Sequence, residues 1–173
     1  MGTVQDITTQ KHAAVALHRN ETELSTIYEH APFMMCLLNE NREIERANRA
    51  LMELTRGTRP EDGHRRPGDV LGCLNALDDP AGCGAGPHCP ACPLRVALVE
   101  TLKTGQPQSR VEALLSLVIN GARREVRVSA SMALVRVEGK AKLLLCLEDI
   151  TARKQLEVQF LQAQKMEAVG QLA

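Results

Sequence analysis

Aromatic side chains are almost missing: the 173 residues hold one tyrosine (Tyr28), two phenylalanines (Phe33 and Phe160) and no tryptophan. A surface that stacks bases or sugar rings has almost nothing to be built from. An excess of charge is missing too. Lys plus Arg and Asp plus Glu each number 21, so the formal net charge is zero. Nucleic-acid-binding domains and polybasic membrane-surface segments both carry a basic excess, and neither class fits. Long apolar runs are absent as well. Stretches such as Phe33–Leu38 and Leu143–Leu147 reach only five or six residues, against the roughly 20 that span a bilayer. Met1–Gln10 lacks the basic start and apolar stretch of a secretory signal, which makes the cytoplasm, where thiols stay reduced, the expected compartment. What is present is 44% hydrophobic and 24% charged residues, the balance of a folded domain.

Glycine and proline are unevenly spread. Fifteen of the 20 fall between Gly57 and Pro107, which predicts a loop-rich stretch with short helices at most. The flanks are more regular. Gln10–His30 reads as a helix, with Leu17 and Leu24 on one stripe, and Pro32 ends it. Phe33–Leu38 reads as a strand buried on both faces, turned by Asn39-Glu40-Asn41 into a partner strand over Glu43–Asn48. Arg49–Arg56 is a short helix stopped at Gly57. Pro93–Thr104 is a longer one, with proline in its first turn and Gly105 to close it. Three strands follow. Val111–Ile119 and Val126–Leu134 alternate around Asn120-Gly121, a strong hairpin turn. On the second of these Arg127, Ser129 and Ser131 face the other way, toward solvent. Glu138-Gly139 turns the chain into Lys142–Leu147, apolar on both faces and so a central strand. From Ile150 a helical pattern runs to the end, with Leu156, Phe160 and Ala163 spaced by four and three. The order describes an α+β domain, a single antiparallel sheet with helices on one face.

Four of the six cysteines cluster. Cys73, Cys83, Cys89 and Cys92 are spaced C-x9-C-x5-C-x2-C. Four thiolates within twenty residues, closed by a C-x2-C pair, are enough to enclose one soft metal. Gly82, Gly84 and Gly86 let the chain wrap closely, and Pro90 and Pro93 stiffen the knuckle. Zinc would make it a structural staple, whereas an iron–sulfur cluster would make it a redox or oxygen sensor, and spacing does not separate the two. A redox-switching thiol or disulfide set is the second reading, and four unrelated thiols the third. His88 is the substitute ligand within the loop. Cys36 and Cys146 sit in the two most apolar strands and read as small core-filling side chains. No Ser/His/Asp set, nucleophile elbow or phosphate loop is recognisable, so the chain is not expected to be an enzyme. A dithiol enzyme built on Cys89-x2-Cys92 lacks the βαβ context such enzymes have.

There is also an internal repeat. Asp6-Ile7-Thr8-Thr9-Gln10-Lys11 matches Asp149-Ile150-Thr151-Ala152-Arg153-Lys154, and each copy is expected to open a helix. The order of elements, the segment Glu43-Ile44-Glu45-Arg46-Ala47-Asn48-Arg49-Ala50 and the closing Glu148–Lys154 resemble a PAS sensor domain over about residues 30 to 151. The tail Leu161–Ala173 resembles the helix that leads into the dimerisation and phosphotransfer segment of a bacterial sensor histidine kinase. Asp6–Leu24 resembles the exit of a preceding PAS domain. The resemblance implies a linker helix over residues 1–30, a PAS domain with a five-stranded antiparallel sheet over 31–151, and a signalling helix over 152–173. The phosphate-accepting histidine and the nucleotide-binding domain would lie beyond that helix.

The loop Gly72–Pro93 departs from that family, whose short helical segment here has no clustered cysteines. The marks of the family's flavin and haem types are absent: no Asn-Cys-Arg segment occurs, and Pro93–Thr104 holds no histidine. By resemblance, Asp149 caps the exit helix, and Asp149, Ile150 and Thr151 form the relay. The expected function is a two-component signalling module that relays a redox, metal or small-ligand signal through coiled-coil helices. Its partners are a second copy, through the terminal helices, and the kinase domain of the same protein, with no nucleic acid and no membrane insertion. The alternative is a non-sensing dimerisation scaffold with a structural zinc knuckle.

Overall fold

Five strands make one antiparallel sheet in the order β2-β1-β5-β4-β3. The computed structural model describes residues 3–54, 63 and 65–170. Helix α1 (Thr3–His30) enters β1 (Met34–Leu38), which turns into β2 (Ile44–Ala47). Three short helices follow, α2 (Arg49–Leu54), α3 (Pro67–Val70) and α4 (Leu74–Leu77), then a 3₁₀ turn at Cys89–Ala91 and the longer α5 (Pro93–Thr104). The meander β3 (Gln108–Ile119), β4 (Ala122–Val137) and β5 (Lys140–Asp149) leads into α6 (Thr151–Gly170).

The alternation of the strands decides which face is core. Ala113, Leu115 and Leu117 of β3, Val126, Val128, Ala130 and Met132 of β4, and Leu143, Leu145 and Leu147 of β5 are all buried on one face. Helix α5 covers that face with Leu94, Ala97 and Leu98. Each leucine sunk this way contributes roughly 1.5–3 kcal/mol of transfer free energy. Strand β5 lies between β1 and β4, the central place its unbroken apolar run predicts. Asn120-Gly121 and Glu138-Gly139 make the two tight turns, all four residues at positive φ, as two-residue hairpin loops require.

Three expectations change in detail. Phe33 lies outside β1 and is 40% exposed. Within β1 only Cys36 and Leu38 are buried, while Met35 and Leu37, on the outer face with Cys146, are half-buried. Cys36 fills the core and Cys146 does not. The repeat also divides. Thr151 opens α6, but the first copy, Asp6-Ile7-Thr8, lies inside α1, which already begins at Thr3. A strand-to-helix joint therefore exists only at the second copy among the described residues. The end read for the helix at Arg56 and Gly57, and the last three residues of the tail, lie outside the described residues.

Asn48 joins α1 to the sheet. Its fully buried side chain accepts from Met35 N (2.9 Å) and Leu51 N (3.2 Å) and donates to Tyr28 O (3.2 Å) and Phe33 O (3.0 Å). It caps α2 and clamps the end of α1 to the start of β1 in one residue. Arg46 of β2 adds a guanidinium 4.7 Å from the Tyr28 ring centroid.

Candidate functional site

The cysteine loop folds back onto the sheet because its backbone is anchored at three points. Gly72 O accepts from Val118 N (2.8 Å), and Cys73 bridges to Leu117, so the first thiol is pinned to β3. A side chain at Gly72 would meet Val118 O, which with its φ of +68° makes glycine necessary there. The second anchor is Asp69. One carboxylate oxygen accepts from Arg66 N (2.9 Å) and the other from Cys83 N (2.6 Å). The Arg66 guanidinium completes the grip by donating to Cys83 O (2.9 Å). The third anchor is the C-x2-C step. Cys92 N donates to Cys89 O (3.2 Å), closing the 3₁₀ turn, and Cys92 is the N-cap residue of α5.

All four cysteines, with His88, line one cavity of about 180 Å³ between this loop, α5 and the sheet. The C-x9-C gap is thus bridged by the fold-back through Asp78–Gly82. Cys73 and Cys83 meet over Gly68, where an added Cβ would stand 2.6 Å from Cys83 Sγ and 3.6 Å from Cys73 Cβ. Cys89 is buried and its thiol faces Asn75 O at 3.9 Å. All six cysteines are free thiols. Among the described residues no three Cys, His, Asp or Glu side chains form a ready-made metal-ligand group; the thiols share a cavity without yet converging on a point. His88 is exposed at its rim.

Burial is the main reason Cys83 and Cys73 hold their protons. It pushes Cys83 up to about 11, with Asp69, Cys89 and Cys73 adding to it and a backbone bond from Gly68 opposing it. Cys73 is raised by burial and by Cys92 and Cys89, against backbone bonds from Asn75 and Ala76. Arg42, from the β1–β2 turn, and Arg95, from the first turn of α5, line the cavity along with Arg66. Burial holds Arg42 below its ordinary value, helped by the charges of Arg66 and Arg95. Sequence reasoning missed these arginines, since they come from three separate elements. Asp69, the third residue of α3, reaches back to the amide of Arg66 just before the helix, and Arg66 is not a residue type that marks a helix start in sequence.

The relay residues follow directly on the cavity-lining Leu145 and Leu147 at the end of β5. Asp149 Oδ1 accepts from Thr151 N (2.8 Å), covering the first amide of α6. Thr151 Oγ1 accepts from Arg127 N (2.9 Å), and Ile150, fully buried, donates its N–H to Arg127 O (2.8 Å). Arg127 is thus the β4 residue to which the joint is tied. Ser129 and Ser131 are half-buried on the outer face and do not line the cavity. Lys154 pairs with Glu112 of β3 at 2.9 Å.

No protein-family model matches the chain, and no curated protein does. Solved structures do. The PAS domain of an HTR-like protein from Haloarcula marismortui superposes with a TM-score of 0.53 at 17% identity, covering 81% of this chain and 99% of that one. An RNA-binding light-oxygen-voltage receptor gives 0.55 at 17% identity, over 87% of this chain and 38% of that one. The PAS domain of a protein from Colwellia psychrerythraea gives 0.50 at 10% identity, over 76% and 97%. The chain has the PAS fold: an α+β domain with a five-stranded antiparallel sheet. Among the described residues no helix is long and apolar enough to cross a membrane.

Proposed function

We propose that this chain is the sensory module of a bacterial two-component histidine kinase, with the cysteine-lined cavity as its receiving site. One observation carries the reading. Leu145 and Leu147 line the cavity, Asp149 ends the same strand two residues further on, and Thr151 opens α6. A change in the cavity acts on β5 and reaches the exit helix within a few residues. The signal is the state of the four thiols, through a bound metal or their oxidation, in a reducing cytoplasm. The PAS fold supports a sensory role, and a light-oxygen-voltage receptor is among the proteins of similar fold.

Output passes through a parallel homodimer. Helix α6 leaves Leu156 66% and Phe160 63% exposed, and α1 leaves Leu17 and Leu24 equally bare. A sheet domain whose core face α5 already covers has no use for these stripes, whereas a second copy does. The kinase domain would follow α6.

A second reading is favoured by the anchoring itself. Cys73 is tied to β3 and Cys92 to α5, so a structural zinc ion would staple two elements of a non-sensing scaffold. Elemental analysis and a visible spectrum of chain purified without oxygen, followed by hydrogen exchange with and without the metal, separate the two. The sensory reading expects altered protection over residues 147–157 on metal removal or thiol oxidation. Altered protection confined to residues 66–95 supports the scaffold.

A further inference from the structure

The cavity walls hold three arginines and, among the described residues, no carboxylate. The arginines come from separate elements and crowd one spot. Arg42 Nη1, Arg66 Nη1 and Arg95 Nε lie 3.6, 3.6 and 3.7 Å from where a Cβ on Gly84 would stand. That spot is the residue next to Cys83. Three like charges so close repel one another unless negative charge sits among them. Asp69, the carboxylate that bonds into this loop, has each oxygen engaged by a backbone amide, from Arg66 and Cys83. Arg66 is partly used by Cys83 O. Arg95 Nε is buried with no hydrogen-bond partner, an orphan donor of the kind that costs stability unless something fills it.

The charge count says what kind of group fills it. Among the described residues, three guanidinium charges less the Asp69 carboxylate that bonds into the loop leave two positive charges beside the thiols. A divalent ion held by four thiolates carries two negative charges, and so does a doubly positive four-iron cluster held the same way. We infer that Arg42, Arg66 and Arg95 are the counter-charge of a dianionic metal–tetrathiolate centre formed by Cys73, Cys83, Cys89 and Cys92. The inference rests on the metal form of the reading above. Binding is balanced as four thiols and one divalent ion giving one dianionic centre and four protons released to solvent. In this arrangement occupancy neutralises charge shared by the β1–β2 turn, α3 and α5. Emptying the site restores repulsion between all three.

Cobalt(II) is the probe, titrated without oxygen into the reduced, metal-free chain, with the sulfur-to-cobalt charge-transfer band as readout. Arg42→Gln and Arg95→Gln should each weaken cobalt binding about 10–100-fold, the usual cost of losing an outer-shell partner. Arg95→Lys, which keeps the charge, should recover most of that, and Arg19→Gln on the exposed face of α1 should change nothing. The melting temperature of metal-free Arg42→Gln should not fall below that of the parent, because repulsion is relieved. If the parent binds cobalt through thiolates and the arginine variants bind it equally well, the inference is overturned and the metal reading stands. Weaker binding matched by an equal loss of metal-free stability makes the arginines structural and also overturns it. A parent that never shows the thiolate band removes the metal reading itself. Inorganic phosphate binding to the metal-free parent but not to Arg95→Gln would assign the arginines to an external anion instead.

Discussion

Asp149→Ala tests whether the joint is a local device or a part of the core. The carboxylate's bond to Thr151 N is 2.8 Å and exposed, and losing a cap acceptor of this kind costs about 1 kcal/mol, within a range of roughly 0.5–2. Thr151→Val removes the acceptor of Arg127 N. Arg127 is exposed, so water replaces part of that bond and the cost is about 0.5–1 kcal/mol. Beyond its first turn α6 is largely exposed, and the ion pair Lys154–Glu112 at 2.9 Å is a half-open surface contact of the kind worth little. The loss should therefore appear as local opening. At about 1 kcal/mol, amide exchange over residues 151–155 rises about fivefold in Asp149→Ala, and the double variant adds a smaller factor. The urea unfolding of the sheet should shift by less than about 0.5 kcal/mol, since the core on β4 and β5 is untouched. Hydrogen exchange by mass spectrometry reads both. Equal loosening of β4, β5 and α6 would refute the idea of a separable joint, and so would unchanged exchange in α6.

Three further outcomes follow from the packing and charges. Asn48→Ala orphans up to four backbone groups around a fully buried site, so urea unfolding should lose about 3–5 kcal/mol, and a loss below about 1 would contradict the hub role. Burial, then Cys146, pushes Cys36 up to about 12, and burial pushes Cys83 up to about 11, from an ordinary thiol value of 9.0. A raised folded value means the protonated thiols favour the fold below pH 9 and lose that contribution as pH climbs toward 12. The urea midpoint of the metal-free chain should therefore drop across that window, and less so in Cys36→Ala; a flat profile would count against buried, proton-holding thiols. Leu156→Glu with Phe160→Glu places charge on the bare stripe of α6 and should weaken self-association at least about tenfold by sedimentation without shifting the melting of the sheet, whereas a parent chain that stays monomeric at high micromolar concentration removes the dimer.

The sheet was legible because its strands alternate and its turns are chemically explicit. Asn120-Gly121 and Glu138-Gly139 demand positive φ, and Leu143–Leu147 has no polar face to offer solvent, so its central place follows. The closing Asp149–Thr151 motif was readable as a joint, but its partner Arg127 was not, because Arg127 takes part through its own backbone N–H and C=O, which leave no side-chain signature. The first copy of the repeat shows the limit of short motifs. Asp-Ile-Thr opens a helix only where a strand delivers the chain, and at residues 6–8 α1 is already under way. Within the cavity, cysteine spacing pointed to four partners. The arginines stayed hidden because hairpin, loop and helix bring them together only in three dimensions.

A sensor differs from a staple by the size of the free energy at its receiving site. The joint to α6 is worth about 1–2 kcal/mol by its bonds, and that is the scale on which the exit helix can be biased, about 5- to 30-fold. Structural zinc in four-thiolate sites binds with roughly 10–16 kcal/mol, far beyond what any joint could report and enough to keep the site filled whatever the cell does. A site that never empties has one state and transmits nothing. Signalling from this cavity therefore requires that its two states lie within a few kcal/mol of each other under cellular conditions. In the proposed metal site the buried Cys73 and Cys83 thiols would oppose metal, and the crowded arginines would favour it. That opposition would bring the filled and empty states toward balance. It also explains why a knuckle built from four cysteines would carry three arginines at all: a plain staple needs only its ligands, whereas a centre poised between two charge states needs its counter-charge fixed on the elements that must move.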